Sequence, residues 1–437
     1  MNHIGILCLD GMGHINPMAN LGKELQKRGN KVTFLGYPDM QEKIAKSGLE
    51  FLEIGANYFP IGSTDRANSR IGKLSGLKAL NMIIKDTRDE SLVVLQEAPD
   101  VIKKAEMNIL LVDQMVAAGG TIADYLNIPF VTVCNALPTN LEPAIPPPFT
   151  NWSYQNNIWS KLRNQLSYWF LNYWTREIVN VVQQQRKNWN LPVYRNYEDF
   201  YSQLAQISQL PKVLDFPREQ IPSCFHYIGP LKNPSNIELI PYDNQDFNFE
   251  TLNGKPLIYA NLGTIYNQNT KVFHCIAEAC LDLDLEFQLL ISLGNPNADS
   301  SKVNFPGSPL VFSSVPHQKM INRAHLVVTH AGTTALNCLS VGVPMVAIPI
   351  TGDQLGMAAR IARAGAGEVI TLNKLNVSTV KASIEKVFTE QKYQDNARKI
   401  SEAIEEAGGV KRAADIIEQV IETGQPVLAK NEENSRI

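Results

Sequence analysis

The chain lacks a surplus of either charge. Its 40 Lys and Arg stand against 43 Asp and Glu, a formal net charge of -3, and charged residues fill only 19% of the 437 positions. Recruitment of nucleic acid or of an anionic membrane by bulk charge is therefore excluded, and no nucleic-acid partner is expected. Long apolar runs are also missing: none reaches the ~18 residues that a membrane-spanning helix needs. The N-terminus enters an apolar strand pattern at once, with no basic stretch before it, so no secretion signal is expected. Cysteine is scarce and scattered, at Cys8, Cys134, Cys224, Cys275, Cys280 and Cys338. No two form a C-x-x-C pair, and Cys275 and Cys280 have no partners at zinc spacing. Free cysteine in an apolar run acts as a small hydrophobe. The expected setting is reduced and cytoplasmic.

The hydrophobic set makes up 44% of a chain too long for one ordinary core, which predicts two domains. Strand patterns at 3–9, 31–37, 109–112 and 130–134 alternate with helical patterns at 17–28 and 119–126. A second series of strands runs through 257–262, 288–292, 310–312, 326–329 and 345–350. Strands alternating with helices imply βαβ units and parallel sheets. A stretch rich in Pro, Asn and Asp separates the two series. The expected division is a first domain at 1–230, a linker at 231–254, a second domain at 255–408, and a C-terminal helix and polar tail at 409–437.

One segment breaks the alternation. All five tryptophans (Trp152, Trp159, Trp169, Trp174 and Trp189) lie in an aromatic helical insertion spanning about 143–190, which opens with the proline run around Pro146 and Phe149. Such density suits a core layer, an apolar cavity or a bilayer surface, and the pattern leaves these open.

Chemistry-bearing residues collect at strand ends, where open α/β sheets bind ligands. Gly11-Met12-Gly13-His14-Ile15-Asn16-Pro17 follows the first strand. Its glycines permit unusual backbone angles, Asn16 suits a helix cap, and Pro17 suits a first helical position. As a G-x-G-x-x-G fingerprint it fails at Asn16, which disfavours a dinucleotide-dependent dehydrogenase. His14 titrates near neutrality and can take a proton. Asp113, ending the strand at 109–112, is the candidate carboxylate for its other ring nitrogen. In the second half, Asn261-Leu262-Gly263-Thr264 and His330-Ala331-Gly332-Thr333-Thr334 each follow a strand. The latter opens a helix, whose unpaired N–H groups suit a phosphate. Gly352-Asp353-Gln354 ends the next strand and has polar groups for sugar hydroxyls.

The block at 313–367 resembles the donor-binding signature of the inverting UDP-glycosyltransferases, since its parts recur in order. The resemblance implies a GT-B fold: two Rossmann-like domains with parallel sheets facing across a cleft. It implies a hexose, glucose first, moved from a UDP-sugar to a hydroxyl of a hydrophobic molecule, giving a β-glycoside. His14 then stands at the general base and Asp113 at its acidic partner. Gly263, Thr264, His330, Gly332, Thr333 and Thr334 fall to the diphosphate. Val315 and Gln318 lie where the family reads the uracil, with Val315 replacing the usual aromatic. Asn337 takes the place of a ribose-binding glutamate when the turn after Gly332 is one residue shorter than usual. Met12, Pro146, Phe149, Trp152 and Trp169 are the acceptor candidates. The proline run before Phe149 resembles that of bacterial members that glucosylate carotenoid hydroxyls.

Asp282-Leu283-Asp284 matches the D-x-D pattern of metal-dependent transferases of another fold. It falls between a helix and a strand, away from the singled-out turns, so no metal and no cofactor beyond the UDP-sugar co-substrate are expected. Peripheral contact with the inner face of a membrane and a monomer or weak dimer complete the expectations. A sugar-nucleotide epimerase of the same architecture and a catalytically silent partner protein are the rival readings. The epimerase needs no His14–Asp113 pair, and the silent partner needs none of the site residues.

Overall fold

A computed structural model describes residues 1–72, 74, 76–232, 247–264, 270–295 and 297–429. The first part of the chain runs β1 (His3–Leu7), α1 (Met12–Lys27), β2 (Lys31–Gly36), α2 (Pro38–Ser47), β3 (Glu50–Glu53), α3 (Ser63–Ile71), α4 (Gly76–Lys104) and β4 (Ile109–Asp113). It continues through α5 (Gly119–Leu126), β5 (Phe130–Cys134), α6 (Ile158–Asn188), β6 (Gln206–Ser208) and β7 (Phe225–Tyr227). The second part holds β8 (Leu257–Asn261), α7 (Thr270–Leu281), β9 (Gln288–Ser292), β10 (Leu310–Phe312), α8 (His317–Ile321), β11 (Ala324–Thr329) and α9 (Thr333–Leu339). There follow β12 (Met345–Ala347), α10 (Gln354–Ala364), β13 (Gly367–Val369), α11 (Val377–Thr389), α12 (Gln391–Glu406) and α13 (Gly409–Thr423).

Among the described residues the strands form two sheets, ordered β3-β2-β1-β4-β5-β6-β7 and β10-β9-β8-β11-β12-β13, with every pairing parallel. β1 and β4 are buried along their whole length, as strands covered on both faces must be, and they read as unbroken apolar runs for that reason. Each sheet reverses its winding beside its first strand: β1 lies between β2 and β4, and β8 lies between β9 and β11. Such switch points open a crevice at the carboxyl ends of the strands.

The start of α1 departs from the sequence reading. Gly11 is the extended N-cap, at φ -148°, and the helix already includes His14. Asn16 therefore does not cap it, and Pro17 lies inside it. The Gly11 carbonyl accepts from the amides of His14 and Ile15, each at 2.8 Å, so the helix begins earlier than the Asn–Pro signal suggests. Pro17 forgoes the bond its missing N–H would give to the Gly13 carbonyl, and its ring crowds that carbonyl.

From Ile158 to Asn188 the aromatic insertion is one long helix, α6, capped by Asn157. Trp152 precedes this helix and Trp189 ends it, so the tryptophans are not all helical. The helix lies along α4, and Arg88 reaches Glu177 between them at 3.1 Å.

The two sheets are tied together. Asp215, after β6, pairs with Arg360 of α10, and the amide of Gly356 in α10 donates to the Pro148 carbonyl at 2.9 Å. After α12 the chain returns: the Gly409 amide donates to the Ile228 carbonyl at 2.8 Å. Helix α13 buries Val410, Ala413, Ile417 and Val420 with Ile15, Met18, Leu21 and Leu25 of α1. Arg28 of α1 pairs with Asp415 and Glu418. Residues 425–429 are not a free polar tail. Val427 is buried, its amide donates to the Leu204 carbonyl, and that of Ala429 donates to the Ser223 carbonyl. Of the expected linker, 233–246 lie outside the described residues, as do 430–437 of the tail.

Candidate active site

The switch point of the first sheet brings the foremost pair together. His14 lies in the first turn of α1 and Asp113 ends the neighbouring strand β4. His14 Nδ1 and Asp113 Oδ2 are 2.6 Å apart, and Asp113 is 0% exposed. With a carboxylate as partner, Nδ1 carries the proton and Nε2 the lone pair. Burial works against a proton on the imidazole. The charge and hydrogen bond of Asp113, with the charge of Asp353, outweigh it and lift His14 above its ordinary value. A ring nitrogen so backed can accept a proton and hold the resulting charge.

Asp353 comes from the other sheet, at the N-cap of α10. Its Oδ2 accepts from the Leu137 amide at 3.4 Å, and its field reaches His14. Burial pushes its carboxyl up, against that hydrogen bond and the nearby imidazole.

Across from α1, the turn between β11 and α9 holds His330. A Cβ on Gly263 would lie 2.7 Å from its ring, and one on Gly332 would lie 2.5 Å away. The two glycines thus form a cradle that no larger residue leaves open. Gly263 has φ 74° and Ala331 has φ 63°. A left-handed non-glycine residue in such a turn marks local strain, which clusters at functional sites. Burial pulls His330 down to about 4, so at neutral pH it offers a hydrogen bond rather than a charge. A Cβ on Gly13 would meet the Thr333 hydroxyl at 2.8 Å, so the turn carrying His14 and the turn after His330 face each other directly. Thr334 is buried, with its hydroxyl 3.2 Å from His317 Nε2. Thr264 is exposed at the edge of the described residues.

Three of the expected donor residues have their side chains engaged within the protein. Val315 is buried in the core of the second unit, where its branched apolar side chain packs well. Gln318 is buried, and its amide donates to Asn322 within one helical turn, at 2.9 Å. Gln354 uses its side-chain oxygen to cap the amides of Ile350 and Thr351, so only its NH2 group is left for a sugar. Asn337 is half-buried, and its carbonyl accepts from Lys232 at 3.3 Å. This cation at the end of the first unit gave no motif signal.

The acceptor candidates are less gathered. Met12 packs on the core, Pro146 is buried, and Phe149 is half-buried beside the Pro148–Gly356 contact. Trp152 lies under the Arg163 guanidinium at 4.2 Å. Trp169 fills no cavity: it is 64% exposed on α6. Near the first switch point, Cys8, Tyr37, Ile54, Glu90 and Met115 line a cavity of about 30 Å³. Sequence reasoning missed it, although Cys8 and Tyr37 lie at the ends of strands already located. Burial pushes Glu90 up to about 7. Asn135, which donates to Asp113 Oδ2 at 2.9 Å, was also missed, one residue beyond β5. Asp282 and Asp284 are both exposed between α7 and β9.

Two doubly wound sheets whose switch points meet across such a cleft define the GT-B class of glycosyltransferases. The fold of the calicheamicin glycosyltransferase CalG4 is similar, with a TM-score of 0.71 at 19% identity over 98% of this chain and 100% of that one. Residues 25–407 match the family described as UDP-glucoronosyl and UDP-glucosyl transferase, and the chain belongs to that family of enzymes. It is 30% identical to the zeaxanthin glucosyltransferase of Pantoea ananas over 433 residues, covering 98% of each. It is 28% identical to that of Pseudescherichia vulneris, covering 98% of this chain and 100% of the relative.

Proposed function

We propose that this glycosyltransferase moves glucose from UDP-glucose to a hydroxyl of a hydrophobic small molecule, with inversion and without a metal. The observation that carries the proposal is the His14–Asp113 pair, faced from the other sheet by Asp353. The acceptor hydroxyl gives its proton to His14 Nε2 as its oxygen bonds the anomeric carbon. The bond from that carbon to the diphosphate oxygen breaks, and UDP leaves with the electron pair. Attack from the face opposite UDP yields a β-glycoside. Asp113 orients the imidazole and balances the imidazolium. His330, Thr333, Thr334 and the backbone at Gly263 and Gly332 hold the diphosphate through hydrogen bonds. Asp353 holds sugar hydroxyls.

Two observations support an apolar acceptor. The relatives in Pantoea ananas and Pseudescherichia vulneris are named for zeaxanthin. On this chain, α6 exposes Trp159, Leu162, Leu166, Trp169 and Tyr173 at spacings of three and four residues, a face suited to a lipid surface that stores such acceptors. No helix among the described residues is long and apolar enough to cross a membrane, so the contact is peripheral. The test is UDP release from a panel of UDP-sugars with lipophilic alcohols, in EDTA. The expected result is turnover with UDP-glucose and a hydroxylated polyene or sterol, giving a β-linked product. Turnover only with Mg²⁺, or an α-linked product, overturns the reading.

A further inference from the structure

The polar groups behind Asp113 form a chain with only one consistent direction. The amide of Leu231 donates to Gln209 Oε1 at 3.0 Å. A backbone N–H can only donate, so the Gln209 oxygen is fixed there and its NH2 points the other way. That NH2 donates to Asn135 Oδ1 at 2.8 Å, which fixes the Asn135 amide in turn. Asn135 Nδ2 then donates to Asp113 Oδ2 at 2.9 Å, the same oxygen that meets His14 Nδ1. Turning either amide over would set oxygen against oxygen and NH2 against NH2. Gln209, Asn135 and Asp113 are all buried, so water cannot replace a lost link. The Leu231 peptide also reaches the other half of the pair. Its carbonyl accepts from Asn20 Nδ2 at 2.9 Å, on the helix that presents His14.

We propose that Asn135 is a positioning residue for the His14–Asp113 pair, its amide oriented through Gln209 by the Leu231 peptide where the chain leaves the first sheet. The inference rests on the reading of His14 as the base. Asn135 touches no substrate; it shares Asp113 Oδ2 with the imidazole and holds that oxygen in line with Nδ1. It also withdraws charge from the oxygen that stabilises imidazolium, so Asn135 tempers the basicity of His14. The ionisable groups facing the pair are Asp353 at α10, toward His14, and the thiols of Cys8 and Cys134, toward Asp113. Burial pushes both thiols up, so the carboxylates alone set the field around neutral pH.

The test is steady-state kinetics against pH for Asn135→Ala and for the near-isosteric Gln209→Glu. A carboxylate at 209 still accepts from Leu231 but cannot donate onward. Each variant should lower kcat about tenfold, the effect of one buried hydrogen bond to a charged group. KM for both substrates and the affinity for UDP should hold, and in Asn135→Ala the acid limb of kcat should move to higher pH. In an Asp113→Ala background neither change should cost further rate, because both act through that carboxylate. Should Asn135→Ala fail to fold, Gln209→Glu carries the test. Unchanged kcat and pH limb in a protein inactivated by His14→Ala overturn the proposal. So do losses that multiply with that of Asp113→Ala. A His14→Ala protein that still transfers overturns the base reading itself, and this inference with it.

Discussion

Arg360 and Asp215 join the two sheets through an ion pair almost closed to water. Arg360 Nη2 and Nε lie 2.7 and 2.9 Å from one carboxylate oxygen, and both side chains are 1% exposed. The other oxygen takes Arg218 Nε and the Tyr227 hydroxyl, each at 2.8 Å. A buried charge left with no partner costs about 3–5 kcal/mol, and Arg218 still faces Asp215 when Arg360 is removed, so the loss falls below that. Arg360→Ala should therefore lower the unfolding free energy obtained from urea titration, by up to about 3 kcal/mol. An equal loss from the exposed pair Lys46→Ala would show that burial is not the cause.

The same carboxylate sets an acid limit. Burial alone would raise Asp215, but Arg360 and Arg218 hold it well below the ordinary 3.8. A depressed folded-state value stabilises the fold above the unfolded value, and that stability is lost as pH falls toward the folded one. Melting temperature should drop as pH falls below about 4, and the drop should be shallower in Asp215→Asn. Identical slopes in the two proteins would remove Asp215 from the account.

His14→Ala should reduce turnover by about 10²–10⁴-fold, the span of a lost general base, with UDP affinity retained. The base must be neutral to act. Asp113 and Asp353 lift it above 6.5 against the effect of burial, so kcat/KM, which reports the free enzyme, should rise with pH through a midpoint above 6.5. Asp353→Asn removes one lifting charge and should move that midpoint down. A midpoint unmoved in Asp353→Asn would mean that the field across the cleft does not reach the base.

Much of this was legible because parallel strands buried on both faces read as plain apolar runs, and the strand at 130–134 matches β5 residue for residue. Site residues at strand ends followed from the strands. Contacts set by three dimensions were not legible. Val315 and Gln318 stand in a matching motif, yet packing claims the one and Asn322 the other. Asn135 and Gln209 lie 74 positions apart and meet only because β5 pairs with β6. Nothing in the spacing distinguishes an exposed Trp169 from a buried one, since α6 covers α4 along one side only.

The donor turn invites a separation of affinities. Gly332→Ala places a Cβ against the His330 ring and should weaken UDP itself. Asp353→Ala should leave UDP affinity near that of the parent while impairing use of UDP-glucose, because sugar hydroxyls are its assigned partners. Titration calorimetry with UDP and kinetics with UDP-glucose measure the two. Equal weakening of UDP by both changes would refute the division of labour.

The exposed face of α6 makes the last prediction. Trp159 and Trp169 are 78% and 64% exposed, with Leu162 and Leu166 between them. Each large apolar side chain moved fully out of water contributes roughly 1.5–3 kcal/mol before the costs of association. The chain's net charge of -3 gives no help toward anionic lipid. Binding to neutral liposomes should therefore occur and should persist in high salt, unlike docking driven by charge, which salt screens. All five tryptophans lie between 152 and 189, so intrinsic fluorescence reports this segment alone. Flotation with phosphatidylcholine vesicles should carry the protein upward and shift its emission to the blue. The Trp159→Ala, Trp169→Ala double variant should float poorly while keeping transfer to a detergent-dissolved acceptor. Equal flotation of parent and double variant, or none by either, would leave this face without a role at the membrane.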